Sequence, residues 1–289
     1  MWRLMFDKLI HIRCLYVVMF VFAVGTVCAQ SPEIVQQKMT MQIPEGKTVF
    51  SEEMLQGEIT DTKIEHLAYR GPVSKTIKMR TGNVDIFIFI KGNGQLTADS
   101  LSFNLVPESI AIPMRFSSVQ IEVRAGEDLH FLHFAKKLSA SDLKDLEGFS
   151  AKNKYEIYFA KFEDCEPYTE KIKSPNTISR TVLPEDIIPR VALGTVEAPG
   201  PDEVGAHIHA MLDQLFLGLT NNDIVVHADG ASAQLKEYSL LHIPLGSSHW
   251  ASVEKNKKMY YMWMDFFTTK EGQDWLKTHK PISTNKKDY

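Results

Sequence analysis

Gly205-Ala-His207-Ile-His209-Ala-Met-Leu-Asp213-Gln214-Leu-Phe-Leu-Gly-Leu219, followed further along by Pro244-Leu-Gly246-Ser-Ser-His249, sets three histidines in a pattern suited to a metal ion. On a β-strand, side chains two apart point to one face, so His207 and His209 present both imidazoles to a single ion. A third ligand has to come from a neighbouring strand. His249 follows Pro244 and Gly246, a turn that stops one strand and swings the next residues back over a barrel mouth. Gln214 or Asp213 adds an oxygen, which completes a three-nitrogen, one-oxygen set with positions open for water or substrate. An isolated His-x-His in a strand is as a rule structural, and it is His249 that turns this pair into a candidate site.

Outward from this stretch, strand signals dominate. Val84-Asp-Ile-Phe-Ile-Phe-Ile90 is a β-branched and aromatic run closed by Lys91-Gly92-Asn93-Gly94, which predicts a β-hairpin. Similar runs lie at residues 109–112, 119–123, 129–134, 155–162, 214–219, 223–227, 239–243 and 259–267, between turns rich in Gly, Pro, Asn and Asp. Helical pattern is confined to 139–147, where Ser139 or Ser141 can cap, and to 270–278. The expected fold is therefore mainly β, a sandwich or barrel with short helices. In the run 259–267, alternation puts Tyr261, Trp263 and Asp265 on one face and Tyr260, Met262, Met264 and Phe266 on the other. One face would fill a barrel and the other would pack on a second sheet or subunit. A ring-stacking sugar surface is the sharper alternative.

The chain has 289 residues, 44% hydrophobic and 24% charged, enough for a sizeable core and against intrinsic disorder. Its formal charge of -4 offers no basic field for nucleic acid. Three cysteines, Cys14, Cys28 and Cys165, form neither a disulfide framework nor a thiolate zinc site. Arg3, Lys8 and Arg13 precede an apolar run at 14–24 and then Val27-Cys28-Ala29-Gln30, the pattern of a signal peptide over 1–29 cut before Gln30. The run is too short to span a bilayer, which needs about 20 apolar residues. The expected location is periplasmic or extracellular, with no stable membrane span after processing; a lipoprotein cut at Cys28 is the rival. Cys165 would then be the lone thiol, a small buried hydrophobe.

The two histidine-bearing motifs resemble those of the cupin superfamily, which run roughly G-x5-H-x-H-x3-4-E-x6-G and G-x5-P-x-G-x2-H-x3-N. Pro244, Gly246 and His249 keep the core of the second, and His207 and His209 that of the first. The glutamate position falls on Gln214, the closing glycine on Asn221, the glycine opening the second motif on Tyr238 and its final Asn on Val253. The resemblance implies a jelly-roll barrel with His207, His209, Gln214 and His249 around a divalent ion such as Mn, Fe, Ni or Zn. A neutral Gln in place of a carboxylate leaves more positive charge on such a site, favouring a bound anion and weakening metal affinity. His227 and His242 lie on adjacent runs where they line the pocket or else are core or surface histidines; His66, His130, His133 and His279 have no motif around them and read as surface or core-packing residues.

The same template laid on the first half puts Asp85 at the carboxylate position, Lys78 and Arg80 at the histidine positions, and Ser118 where the third histidine would be, after Pro113. That predicts a bicupin with a degenerate first barrel, in which Lys78, Arg80 and Arg115 form an anion pocket or else face solvent. The expected organisation is a first barrel over 30–165, a linker over 166–190 around Pro175, Pro184 and Pro189, a metal-site barrel over 191–268, and a C-terminal helix and tail over 269–289. The function the resemblance implies is an exported metal-dependent enzyme acting on a small organic or sugar acid, of isomerase, lyase, hydrolase or dioxygenase type. Asp213, His242 and Tyr261 are candidates for acid or base. The alternatives are a carbohydrate- or small-molecule-binding module without catalysis, and a structural homodimer with a vestigial site.

Overall fold

The computed structural model describes residues 34–209 and 211–276. The first half forms β1 (Val35–Lys38), β2 (Val49–Glu53), β3 (Thr62–Arg70), β4 (Val73–Lys78), β5 (Asn83–Lys91), β6 (Gly94–Ala98), β7 (Leu101–Leu105), β8 (Ser109–Pro113), β9 (Ser118–Val123), β10 (Asp128–Lys137), helix α1 (Ala140–Asn153) and β11 (Ile157–Lys161). The second half adds β12 (Pro167–Tyr168), β13 (Ile178–Leu183), β14 (Val191–Pro199), β15 (Asp202–Ile208), β16 (Leu212–Gly218), β17 (Asp223–Ala228), β18 (Ala231–Lys236), β19 (Ser239–Ile243), β20 (Ser248–Val253), β21 (Lys258–Phe267) and α2 (Lys270–Leu276). Neither helix is long and apolar enough to cross a membrane.

These strands build two barrels, each a large sheet facing a small one. In the first, the sheet β11-β8-β5-β10-β3-β2 faces β4-β9-β6-β7; in the second, β1-β19-β16-β21-β14-β13-β12 faces β15-β20-β17-β18. Neighbouring strands within these sheets are antiparallel. The N-terminal β1 crosses over to pair with β19 of the second barrel, with Val35 opposite His242. The two halves also share a turn design. Where each half leaves its large sheet for its small one, Gly71 and Gly200 lie against the carbonyls of Arg124 and Glu254, so close that a Cβ would sit 1.8 and 1.9 Å from those oxygens.

Alternation divides the apolar side chains into three layers. Phe87, Phe89, Leu96, Ile121, Leu129 and Phe131 fill the first barrel, while Val204, Phe216, Val226, Leu241, Ala251 and Tyr261 fill the second. The opposite faces of the two large sheets pack on each other: Ile86, Ile88 and Ile110 belong to one cluster with Leu193, Leu215, Met262 and Met264, and the Phe134 and Phe266 rings are 6.0 Å apart. Each such side chain contributes about 1.5–3 kcal/mol on burial, so the middle layer holds the barrels together. Both faces of β21 are thus used as the alternation predicts, and the second sheet is the first barrel's own. Trp263 is partly buried and packs against the second barrel's core, which accords with the packing role.

Three local expectations are corrected. The turn at Gly92 does not close a hairpin: β5 and β6 belong to different sheets, and Gly92, with φ +82°, carries the chain across where a Cβ would meet the Asp128 carbonyl. The segment expected as a linker over 166–190 holds β12 and β13, which extend the large sheet of the second barrel. Strands β3 and β14 lie outside the expected runs: Lys63, Glu65 and His66 break the apolar pattern of the first, and Gly194 breaks that of the second. Helix α1 begins where Ser139 predicts it, with Ser139 and Asp142 capping each other reciprocally, and runs on to Asn153 before Lys154 closes it in the left-handed conformation. Residues 1–29 and His279 lie outside the described residues.

Candidate metal centre

Strands β15 and β20 pair with His207 directly opposite His249. A bulge between Val204 and His207 shifts the phase of β15 so that both Val204 and His207 face the barrel. His209 follows the strand, and the three rings gather with centroid separations of 4.9 Å (207–209), 4.3 Å (207–249) and 5.5 Å (209–249). One ligating nitrogen from each lies within 4.8 Å of the others, as a shared ion would need.

The backbone sets the tautomers. His207 Nδ1–H donates to the Gly205 carbonyl at 2.8 Å, and His249 Nδ1–H to the Ser247 carbonyl at 3.1 Å, so each ring carries its lone pair on Nε2. His249 is 1% exposed, and its Nε2 has no hydrogen-bond partner among the described residues. Burial, with His207 nearby, pushes its pKa down to about 4, so the ring is neutral near pH 7. A buried imidazole nitrogen left unsatisfied costs free energy unless something ligates it.

Gln214 lies on β16 opposite Asp265 of β21. Phe216, two residues on and therefore on the same face, sits with its ring centroid 6.0 Å from that of His249, which puts Gln214 on the inner wall of the same barrel. Its amide Nε2–H donates to Asp265 Oδ1 at 2.7 Å, while its Oε1 is buried with no hydrogen-bond partner among the described residues. An oxygen and an imidazole nitrogen, both buried and unsatisfied, fit a borderline-soft divalent ion held by three nitrogens and one oxygen. Burial pushes the Asp265 carboxyl up to about 7, with the Gln214 hydrogen bond pulling the other way.

The remaining candidates separate. Asp213 and His242 alternate with inward residues and lie on the outer face of the large sheet, where His242 Nδ1 meets Glu58 Oε2 at 2.8 Å and its Nε2 lies 3.6 Å from Asp213 Oδ1. That removes both from the imidazole cluster: a one-residue step along a strand reverses the face. Tyr261 is inside the barrel, its ring 4.6 Å from Phe216, and its phenol is raised by burial. His227 faces outward, stacked on Trp250 at 4.4 Å. His66, His130 and His133 are buried packing residues, and Cys165, half-buried against the middle layer, has its thiol pKa raised by burial.

In the first barrel the matching pair in the small sheet is Ile77 opposite Val119. Ile77, Met79, Phe116 and Val119 fill its interior where the histidines stand in the second. Lys78, Arg80 and Arg115 are all exposed, so the anion pocket read from the sequence does not form there. The template was laid one residue out of step with the strand, and one residue is enough to exchange wall for solvent. Asp85 is buried, and its partner is His133 Nε2 at 2.7 Å rather than one of the three cations.

Residues 169–177 carry no motif in the sequence, yet they run over the open edge of the second barrel and bring in Glu170 and Lys173. A Glu and a Lys three residues apart in a polar segment carry no signal of burial. Two cavities of about 320 and 350 Å³ lie elsewhere, one lined by Glu108, Arg180, Glu197, Lys258 and Tyr260, the other by Asn93, Gln95, Asn104, Glu122 and Arg124; neither is lined by the imidazoles.

No family model and no curated protein matches this chain. Solved structures do. A protein from Pseudomonas aeruginosa described as glyoxylate-induced superposes with a TM-score of 0.66 at 9% identity, over 83% of this chain and 91% of that one. The oxalate decarboxylase of Lactobacillus farciminis in its formate complex gives 0.59 at 9% identity, over 83% and 87%. A cupin 2 conserved barrel domain protein from Leptotrichia buccalis gives 0.54 at 14% identity, over 78% and 92%. The fold is the cupin fold, in a two-barrel form with its histidine cluster in the second barrel.

Proposed function

We propose that the second barrel binds a divalent transition ion, one of Mn, Fe, Ni or Zn, through His207, His209, His249 and Gln214, and that the protein is an exported enzyme acting on a small organic or sugar acid. The observation that carries the reading is the gathering of three imidazoles in a barrel whose inner wall holds two buried, unsatisfied ligand atoms, His249 Nε2 and Gln214 Oε1. Bound there, the ion would supply Lewis acidity toward a carboxylate or carbonyl. The four ligands are neutral, so they leave its double charge uncompensated and favour an anionic substrate. The chain's own part is to hold the ring tautomers through Gly205 and Ser247, to orient the Gln214 amide through Asp265, and to keep the inner wall dry with Phe216 and Tyr261. The structural likeness to an enzyme named for decarboxylating oxalate, a small dicarboxylate, accords with this substrate class. Export rests on the leader pattern of residues 1–29.

Metal analysis of the chain purified without a histidine tag tests the reading. Stoichiometric metal in the wild type, lost in His207→Ala and His249→Ala, is expected, together with turnover of at least one acid in a panel of uronates and small 2-oxo acids. Absence of metal from the wild type after incubation with each of the four ions would remove it.

A further inference from the structure

The second barrel is closed at one edge by residues 169–177, a strap between β12 and β13. Ile172 accepts a hydrogen bond from Gly205 N–H at 2.8 Å, and Lys173 bridges to Val204, so the strap is stitched to the outer edge of β15. Gly205 links strap to site: its N–H reaches the strap, and its carbonyl accepts the Nδ1–H of His207. Side chains fix the strap as well: Ser174 Oγ donates to Asp202 Oδ2 at 2.5 Å, and Thr177 Oγ1 to the same oxygen at 3.4 Å.

Lys173 does something these anchors do not require. Its side chain is only 6% exposed and turns into the barrel, where Nζ donates to the buried Ser179 Oγ at 2.8 Å and meets Glu170 Oε2 at 3.1 Å. Ser179 pairs with Val196, whose neighbour across the sheet is Tyr261, so the ammonium lies on the inner wall that also carries Gln214 and Asp265. Burying a cation is costly unless it is paired, and an apolar residue here would hold the strap more cheaply. Its counter-ion is the more exposed partner: Glu170 is 31% exposed and reaches solvent.

We infer that Lys173 is the residue that holds the substrate's carboxylate in the second barrel, with Glu170 as the counter-ion that the substrate displaces. The inference rests on the reading of this barrel as a site for small acids and adds the group that selects them. Burial lowers the Lys173 pKa, with Glu170 and Asp265 opposing. No bond is made or broken: one carboxylate replaces another on the ammonium.

Malonate, a small dicarboxylate, serves as the probe, titrated calorimetrically into the full chain with and without Mn(II), with malonamide as the neutral control. Lys173→Met should weaken malonate about tenfold or more, the worth of one charge-assisted hydrogen bond, at unchanged metal content. Glu170→Gln should tighten it, because the competing carboxylate is gone; a merely structural ion pair would not give that gain. Malonate binding unaltered in Lys173→Met, or no malonate binding by the wild type, overturns the inference. Should Lys173→Met fail to fold, Glu170→Gln decides, and unchanged or weaker binding there overturns it. If the wild type takes up no metal yet binds malonate in a Lys173-dependent way, the metal-enzyme reading falls and this one stands.

Discussion

Gln214 gives its amide N–H to Asp265 Oδ1 at 2.7 Å across the β16–β21 ladder, and that bond decides which end of the amide is left for an ion. With Nε2 engaged, Oε1 is the atom left unsatisfied. A carboxylate at this position would lie beside a buried carboxyl, and the neutral side chain avoids that repulsion.

Asp265 therefore acts on the metal through Gln214. Asp265→Asn retains an oxygen acceptor and should bind metal nearly as the wild type does. Asp265→Leu leaves the Gln214 Nε2 unsatisfied and should weaken metal by about 10–100-fold, the usual effect of losing such a support. Competition against a chromogenic chelator measures both; equal affinity in all three proteins would show that the bond does not orient the ligand.

Gln214→Glu should have opposite effects with and without metal. Two carboxyls in contact hold a proton between them to higher pH than either would alone. The metal-free variant should therefore lose stability relative to the wild type as the pH rises from the unfolded carboxyl value of about 4, lowering its melting temperature at pH 7. The added charge should tighten metal by about tenfold, on the scale of a charge-assisted contact. Melting curves with and without Mn(II) would show the crossover.

Two buried histidine groups give stability opposite pH dependences. His66 Nε2 lies 3.2 Å from His130 Nδ1; burial, with His66 beside it, pushes His130 down to about 4, and burial also lowers His66. Both folded-state values lie below the unfolded value near 6.5, so the unfolded chain takes up protons first. Stability should fall as the pH drops from about 6.5 toward 4, and His130→Leu should flatten that limb in urea unfolding followed by tryptophan fluorescence.

His242 behaves the other way. Burial works against its charge, yet Asp213 and Glu58 outweigh it and raise its pKa above the ordinary value. Its contribution is complete below the unfolded value and is lost as the pH rises through the raised folded one. Glu58→Gln should lower stability at pH 6 and change little at pH 9, read from urea midpoints.

The middle layer predicts one unfolding transition for both barrels. Met264→Ala removes a fully buried side chain between the large sheets and should cost about 2–5 kcal/mol. Because Ile86 and Ile88 of the first barrel belong to the same cluster, circular dichroism and fluorescence should shift together; separate transitions would show that the layer does not couple them.

The alternating pattern of 259–267 and the spacing of His207, His209 and His249 were legible in the sequence because both depend on geometry within one strand or one turn. Side chains alternate by necessity, so two faces for β21 and one face for His207 and His209 follow from the chain alone. The partner of each face, the sheet a strand joins after a turn such as Gly92, and the phase of a strand after a bulge are set by pairing between distant residues. Hence Lys78 and Arg80 were placed inside a barrel whose wall is built by Ile77 and Met79, and Asp213 and His242 were offered to a site that lies on the other side of their sheet. The sequence by itself determined a β-barrel protein with three histidines at metal spacing. Only the tertiary structure decided that a polar segment taken for a linker closes the second barrel and buries Lys173 in it, because burial of a charge is a property of what long-range pairing lays over it.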